Sequence, residues 1–167
     1  AYIPSGQGWT PDTQVGLIRF SESEFTAHAR LTAVGDTEST YGLMVNWKQD
    51  GGYHGDTLIA SGISYGAWHW LQLRVRNGAA GAGVMQVWSD GALVYEQNVF
   101  EGRESPMYRA EVGIMHLVSS GPAARVVFDQ ARLGLEYQPV SVPVDTTTPF
   151  DVVVTEPASG LTFEGVF

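Results

Sequence analysis

Apolar and polar residues alternate along most of the chain from residue 25 onward, which predicts β-strands. The clearest case is the segment 68–76, where Leu71, Leu73 and Val75 face one way and polar or aromatic residues face the other. No segment has a convincing 3.6-residue period, so no long helix is expected. The same reasoning applied along the chain predicts strands at 25–34, 41–48, 53–60, 68–76, 83–89, 92–100, 108–118 and 125–137.

Turn residues separate these predicted strands at short, regular intervals. The pair Asp90-Gly91 lies between two β runs and is typical of a tight type I′ hairpin. About eight short strands with frequent turns favour a sandwich or a barrel over a parallel sheet with helices. We therefore expect an all-β fold over residues 1–137.

The composition changes after Tyr137. Pro139, Pro143 and Pro149 cannot donate ladder hydrogen bonds, so the segment that holds them is expected to be an extended linker or an edge. Two short apolar segments follow, at 150–155 and 161–167. We interpret residues 138–167 as an extended C-terminal arm that adds a strand to a neighbouring subunit. The alternative is that this arm folds back on its own domain.

Composition and charge limit the partners of the chain. Its 167 residues suit one domain, and its nine basic and 18 acidic residues give a net charge of −9. The electrostatic field of such a negatively charged chain repels phosphate backbones and anionic membrane surfaces, so no nucleic-acid partner is expected. No apolar run reaches the roughly 20 residues that a membrane helix needs, so no membrane insertion is expected. The chain has no cysteine, which excludes disulfides and thiolate chemistry.

Three segments resemble concanavalin A-like lectin/laminin-G-like domains. Trp68 to Val75, with its Trp-His start, and Val84 to Val94, which contains Asp90-Gly91, resemble the central hairpin of that family. Val126 to Gly134 is similar to its closing strand, although Gln130 stands where the family usually has Asn. The resemblance covers about residues 25–137 and implies an antiparallel jelly-roll β-sandwich. It leaves function open, because the family includes sugar-binding modules, adhesion domains, glycosidases, lyases and phage structural proteins.

Several polar and aromatic side chains are expected to share strand faces, where they would suit a sugar ring. A flat indole offers a stacking surface, and amide and guanidinium groups offer hydrogen-bond donors. The alternative is that the two tryptophans belong to the core, as most tryptophans are largely buried. The candidate ligand-binding residues are Trp70, Gln72, Arg74, Gln86, Trp88, His28 and Arg30.

One pair of carboxylates is a candidate metal site. Asp50 and Asp56 flank a Gly-rich turn, and clustered oxygens are the ligands that Ca²⁺ prefers. The alternative is an ordinary solvated turn, because the spacing lacks the alternation of an EF-hand loop. No other cofactor is expected.

The sequence contains partial matches to three kinds of enzyme site. Residues 62–66 match the G-x-S-x-G pattern around Ser64, with Asp90 and His116 following in order, but the predicted strand that comes next replaces the helix that this elbow requires. Glycosidases of this fold need two suitably spaced carboxylates on one strand, which the sequence lacks. A lyase needs a base and a cation. Its candidate residues are Tyr53, His54, His116, Arg30 and Arg74.

The sequence thus predicts a non-catalytic structural or binding module outside a cell or on a virion surface. Its role would be particle decoration, assembly or adhesion, with other protein subunits bound through the C-terminal arm and with carbohydrate as a further candidate ligand. The alternative function is a polysaccharide lyase that acts on an acidic glycan.

Overall fold

The fold is all-β and antiparallel, as the sequence predicts. The structure is a computed structural model, and it describes residues 1–21, 27–49, 52–76, 83–100, 109–118, 124–129 and 150–154. The described residues form a five-stranded sheet in the order β4-β3-β2-β1-β8, a three-stranded sheet β5-β6-β7 and a strand pair β10-β9. The strands are β1 (Gln14–Ser21), β2 (Ala27–Gly35), β3 (Thr40–Gln49), β4 (Gly52–Ser64), β5 (Leu71–Arg76), β6 (Gly83–Ser89), β7 (Ala92–Phe100), β8 (Arg109–Val118), β9 (Ala124–Phe128) and β10 (Phe150–Val154).

One cluster of buried side chains joins the two larger sheets into a sandwich-like arrangement. Leu31 on β2 and Val45 on β3 belong to it, and so do Met85 and Val87 on β6; all four are 0% exposed. Because side chains alternate between the faces of a strand, the residues between these apolar positions face away from the cluster. We call that other side of each sheet its outer face.

Strand β5 lies at the edge of the three-stranded sheet, and its alternation is the one that the sequence predicts. Leu71, Leu73 and Val75 are half-buried and pack against the cluster. The strand begins at Leu71, three residues later than expected, because Trp68 to Trp70 form an irregular approach to the sheet. By contrast, β6 and β7 have the bounds that the sequence predicts.

The tight turn between β6 and β7 is confirmed. Asp90 has φ 50° and Gly91 has φ 83°, and Ser89 pairs with Ala92 across the turn. Two consecutive residues with positive φ define a type I′ turn, whose twist matches that of the flanking strands. The turn thereby fixes Asp90 at one end of the three-stranded sheet.

Strand β1 and the segment before it were absent from our sequence prediction. β1 occupies an inner position of the five-stranded sheet, between β2 and β8, and buries Val15 and Leu17 completely. Upstream, Ile3 and Trp9 are also part of the buried cluster. The first 21 residues are therefore integral to the fold.

Strand β10 was predicted as part of the C-terminal arm, and it pairs with a strand of the same chain. Phe150 to Val154 run antiparallel to β9, with Phe150 opposite Phe128 and Val154 opposite Ala124. These five residues thus add to their own domain, which was the alternative considered above. The rest of the segment 138–167 lies outside the described residues, so its contact with a neighbouring subunit stays a prediction.

Candidate functional site

Polar side chains form a row across the outer face of the three-stranded sheet. The register places Gln72 opposite Trp88 and Arg74 opposite Gln86, and on the next strand Glu96 lies opposite Gln86. Directly opposed residues of an antiparallel pair share one face, so these five side chains lie together. This pairing unites four of the predicted ligand-binding residues and adds Glu96, which the sequence analysis missed.

Hydrogen bonds connect the middle of this row. The Arg74 guanidinium donates from Nη1 to the Oε1 atom of Gln86 over 3.0 Å, and the Gln86 amide donates from Nε2 to a carboxylate oxygen of Glu96. Arg74 and Glu96 are exposed, and Gln86 is half-buried. The three side chains therefore hold one another in place at the surface. We call this group the Arg74–Gln86–Glu96 row.

The two candidate tryptophans are less accessible than a stacking platform requires. Trp88 is 9% exposed, although it lies on the outer face and outside the cluster that joins the sheets. Trp70 precedes β5 and is half-buried, and its indole nitrogen is buried without a hydrogen-bond partner. Neither ring offers a large open face, so the polar row is the better candidate for ligand contact.

Arg30 lies on a different surface from Arg74. Its neighbours Ala29 and Leu31 belong to the buried cluster, so Arg30 is on the outer face of the five-stranded sheet. The register pairs it with Arg19, whose guanidinium forms an ion pair with Glu111 at 2.5 Å. The two candidate cations of a lyase thus lie on opposite sides of the sandwich.

For four other candidate residues the structure describes the strand but not the side chain. His28 lies on β2, Tyr53 and His54 lie on β4, and His116 lies on β8 opposite Gly16. The roles of these four residues therefore stay predictions.

Of the two residues in the predicted calcium site, the structure describes only Asp56. The carboxylate of Asp56 accepts a hydrogen bond from the Nδ2 atom of Asn46 at 3.2 Å, and Asp50 lies outside the described residues. Within the described part of the chain, no group of three or more His, Asp or Glu side chains is placed to hold a metal ion. The calcium site therefore stays a prediction.

A second cluster lies where β4 ends and the turn between β6 and β7 begins. The Nδ1 atom of His69 lies 2.8 Å from the Oδ2 atom of Asp90, and its Nε2 atom lies 3.5 Å from the Oγ atom of Ser64. In the sequence, the disfavoured G-x-S-x-G pattern grouped Ser64 and Asp90 with His116. The structure instead brings His69 between them, while His116 lies on β8. We call this group the Ser64–His69–Asp90 cluster.

Backbone hydrogen bonds fix the members of this cluster. The Oδ1 atom of Asp90 accepts from the amide of Trp70 at 2.8 Å, and the amide of Asp90 donates to the Trp70 carbonyl at 2.8 Å. His69 exchanges two backbone bonds with Ala1. On the other side, the amide of Tyr65 donates to Ser39 at 3.0 Å. These bonds join the Asp90 turn to the segment that holds His69 and tie the cluster to Ala1 and Ser39.

A buried tyrosine, Tyr41, and a half-buried one, Tyr65, lie near His69. The ring of Tyr41 is 6.0 Å from the imidazole and 5.5 Å from the ring of Tyr65. Burial raises the pKa of Tyr41 above its usual range, and the nearby Asp90 carboxylate adds to the shift. Burial and, secondly, Asp36 raise the pKa of Tyr65 to about 12. Neither phenol hydroxyl has a hydrogen-bond partner, so both are costly polar groups in an apolar setting.

Replacing Tyr41 with phenylalanine is expected to stabilise the protein. The substitution removes an unpartnered buried hydroxyl, so the free energy of unfolding at neutral pH should rise by about 1 kcal/mol. The folded-state pKa of Tyr41 lies above the ordinary 10.0. The wild type therefore keeps its full stability below pH 10 and loses part of it as the pH rises through the folded-state pKa of Tyr41, because the unfolded chain ionises first. Urea titrations at neutral and alkaline pH should show a smaller alkaline loss in Tyr41→Phe than in the wild type. A variant that is less stable at neutral pH would show that the hydroxyl has a partner.

Comparison with known proteins finds no relative of this chain. No protein-family model matches the chain, and neither the curated proteins nor the solved structures give a match. Among the described residues, no helix is long and apolar enough to cross a lipid bilayer. The function therefore has to be argued from the two surface sites.

Proposed function

We propose that the chain is a β-sandwich binding module of the concanavalin A/laminin-G-like kind that binds carbohydrate on the outer face of its three-stranded sheet. The observation that carries the proposal is the Arg74–Gln86–Glu96 row. Its guanidinium, amide and carboxylate groups are hydrogen-bonded to one another at the surface. We place the module outside a cell or on a virion surface, where glycans are displayed.

The chemistry of this row fits a polyhydroxylated ligand. A sugar hydroxyl both donates and accepts hydrogen bonds, and the row offers donors on Arg74 and Gln86 and acceptors on Gln86 and Glu96. Because these side chains are already hydrogen-bonded to one another, ligand binding costs less side-chain entropy than it would if the three side chains moved independently. Such preorganisation favours affinity for a small polar ligand.

The charge of the protein favours a neutral glycan over an acidic one. The net charge of −9 repels a polyanion at long range, and Glu96 lies within the row itself. The lyase alternative requires an acidic polymer, and its candidate cations Arg30 and Arg74 lie on different faces. Binding without cleavage of a neutral oligosaccharide is therefore the function that we propose.

A glycan array followed by calorimetry tests this proposal. The wild type should bind at least one neutral glycan, and the double variant Arg74→Ala/Gln86→Ala should bind it about tenfold more weakly or worse, since about 1.4 kcal/mol corresponds to tenfold. Arg125→Ala is the matched control, because Arg125 is exposed on β9, which is not a strand of this sheet. Each variant should keep the unfolding midpoint of the wild type. Equal affinity in the double variant, or no glycan bound at all, would contradict the proposal.

A further inference from the structure

The Ser64–His69–Asp90 cluster has the connectivity of a serine nucleophile with its base and orienting acid. Ser64 is the last residue of β4 and is exposed, and His69 is largely buried between it and the turn that carries Asp90. The two contacts of the imidazole, at 3.5 Å to Ser64 and 2.8 Å to Asp90, use different ring nitrogens. A hydroxyl, an imidazole and a carboxylate in this order are recognised by geometry and not by chain position.

The carboxylate determines which nitrogen of the imidazole carries the proton. An ionised Asp90 only accepts hydrogen bonds, so the Nδ1 atom of His69 must donate to it. In the neutral imidazole, Nε2 then has a lone pair on the side of Ser64. The serine hydroxyl is the group there that can donate to this lone pair, because the Ser64 carbonyl, 3.1 Å from Nε2, is an acceptor. Neutral His69 accepts the hydroxyl proton once the Ser64 side chain turns toward Nε2, which lies 3.5 Å from the hydroxyl and 3.1 Å from the Ser64 carbonyl oxygen.

The cluster is held rigidly enough for this role. Asp90 is fixed through both carboxylate oxygens, one to the Trp70 amide and one to His69. The turn after Ser64 is fixed by the amide of Gly66, which donates to the Ile3 carbonyl at 2.8 Å. Hydrogen bonds of nucleophile to base are often long before a substrate binds, so 3.5 Å is within reach of proton transfer after a small rotation.

We propose that Ser64 is a reactive serine that attacks activated esters, an acyl-transfer site separate from the carbohydrate-binding face. The Oγ atom of Ser64 forms a bond to the acyl carbon while its proton passes to Nε2 of His69. The bond to the leaving alkoxide or phenolate breaks, and that group takes the proton from His69. Water, activated by the same imidazole, then cleaves the serine ester and releases the acid.

The surroundings of Ser64 favour activated substrates and slow turnover. The amides of Tyr65 and Gly66 are already bound to the carbonyls of Ser39 and Ile3, so neither is free to stabilise an oxyanion. Removing one such donor from an enzyme costs about 100-fold or more in rate. We therefore expect the serine ester to form with reactive aryl esters or fluorophosphonates and to be hydrolysed slowly.

The test is covalent labelling of the intact chain with a fluorophosphonate, followed by peptide mapping. Attack forms the Ser64 Oγ–phosphorus bond, releases fluoride and leaves the proton on His69. Ser61 is the internal control, because it is exposed on the same strand. Ser64 should react on the order of 100-fold faster than Ser61, the usual contribution of a positioned base. Ser64→Ala should abolish the fast label, and Ser61→Ala should leave it unchanged. Equal labelling of the two serines would overturn the proposal.

A second variant separates reactivity from a purely structural role of the cluster. In Asp90→Asn the amide can donate to Nδ1 of His69, which moves the imidazole proton to Nε2 and leaves no lone pair for the Ser64 hydroxyl. We expect the fast label to disappear, the ¹⁵N resonances of His69 to report the changed tautomer, and the far-ultraviolet spectrum to stay that of the wild type. Full labelling in a folded Asp90→Asn would overturn the role of His69 as base. If this variant does not fold, the comparison of Ser64 with Ser61 in the wild type decides.

Discussion

Gly35→Ala is expected to destabilise the protein by about 3 kcal/mol, the upper part of the range for overpacked sites. A Cβ atom built on Gly35 would lie 2.1 Å from the carbonyl oxygen of Thr10 and 2.7 Å from its carbonyl carbon. Both are backbone atoms, so no side-chain rotation relieves the clash. The amide of Gly35 also donates to the Thr13 carbonyl at 3.0 Å, which holds the two segments together.

Gly55→Ala is the matched control for this substitution. Gly55 is exposed on β4, and a Cβ atom there would meet nothing within 4 Å. We expect its free energy of unfolding to change by less than about 0.5 kcal/mol, as is usual for surface substitutions. Urea denaturation of both variants measures the difference, and the Gly35 variant should also melt about 6–12 °C lower. Equal stability of the two variants would show that residues 10 and 35 are not in contact.

Ile3→Ala should cost about 2–5 kcal/mol, the usual range for truncating a fully buried aliphatic side chain. Ile3 is 0% exposed and belongs to the cluster between the sheets. Its segment is also tied down by its backbone, since Tyr2 bridges to both Val127 and Trp68. The cavity left by the truncation therefore lies in a part of the core that has little freedom to collapse.

The control for Ile3→Ala is truncation of an exposed apolar residue. Leu58 is 58% exposed on β4, so Leu58→Ala should change the free energy of unfolding by less than about 0.5 kcal/mol. Chemical denaturation of both variants gives the comparison. A loss below about 1 kcal/mol for Ile3→Ala would mean that the N-terminal segment is docked loosely and contributes little to the core.

The sequence predicts those features of the fold that depend on local alternation and turn chemistry. The hairpin at Asp90-Gly91 is an example, because both the φ values and the pairing follow from neighbouring residues. The class of fold and the shared strand face of Gln72 and Arg74 follow from the period of two, whereas the pairing that brings Gln86 beside them comes from the register of β5 and β6. The hairpin, the class of fold and this shared face need no knowledge of distant contacts.

Strand β1 could not be predicted from the alternation of its residues. Its register shifts between Gly16 and Ile18, and apolar Leu17 and Ile18 stand next to each other, so the period of two is broken within the strand. Such a bulge reverses which positions face the core. The strand is defined by its pairing partners β2 and β8, and that information is not local.

Glu96 and His69 were missed for a related reason. A hairpin without irregularity would place Tyr95 opposite Gln86, but a register shift between Val87 and Trp88 places Glu96 there instead. His69 meets Asp90 because Leu71 pairs with Ser89, which brings the residues before β5 next to the turn after β6. In both cases the register between paired strands decides which side chains meet, and the alternation within one strand does not fix it.

The inner position of β1 has a consequence for how the protein folds. β1 pairs with β2 nearby in the chain, but its other neighbour is β8, and the Arg19–Glu111 ion pair between them joins residues 92 positions apart. The chain between β1 and β8 must close into a long loop, and the conformational entropy of that loop is lost before the pairing of the two strands stabilises the fold. Proteins dominated by such non-local pairings fold in about milliseconds to seconds. During synthesis, one edge of β1 therefore stays unpaired until β8 has left the ribosome, and an unpaired strand edge is a site where chains can aggregate.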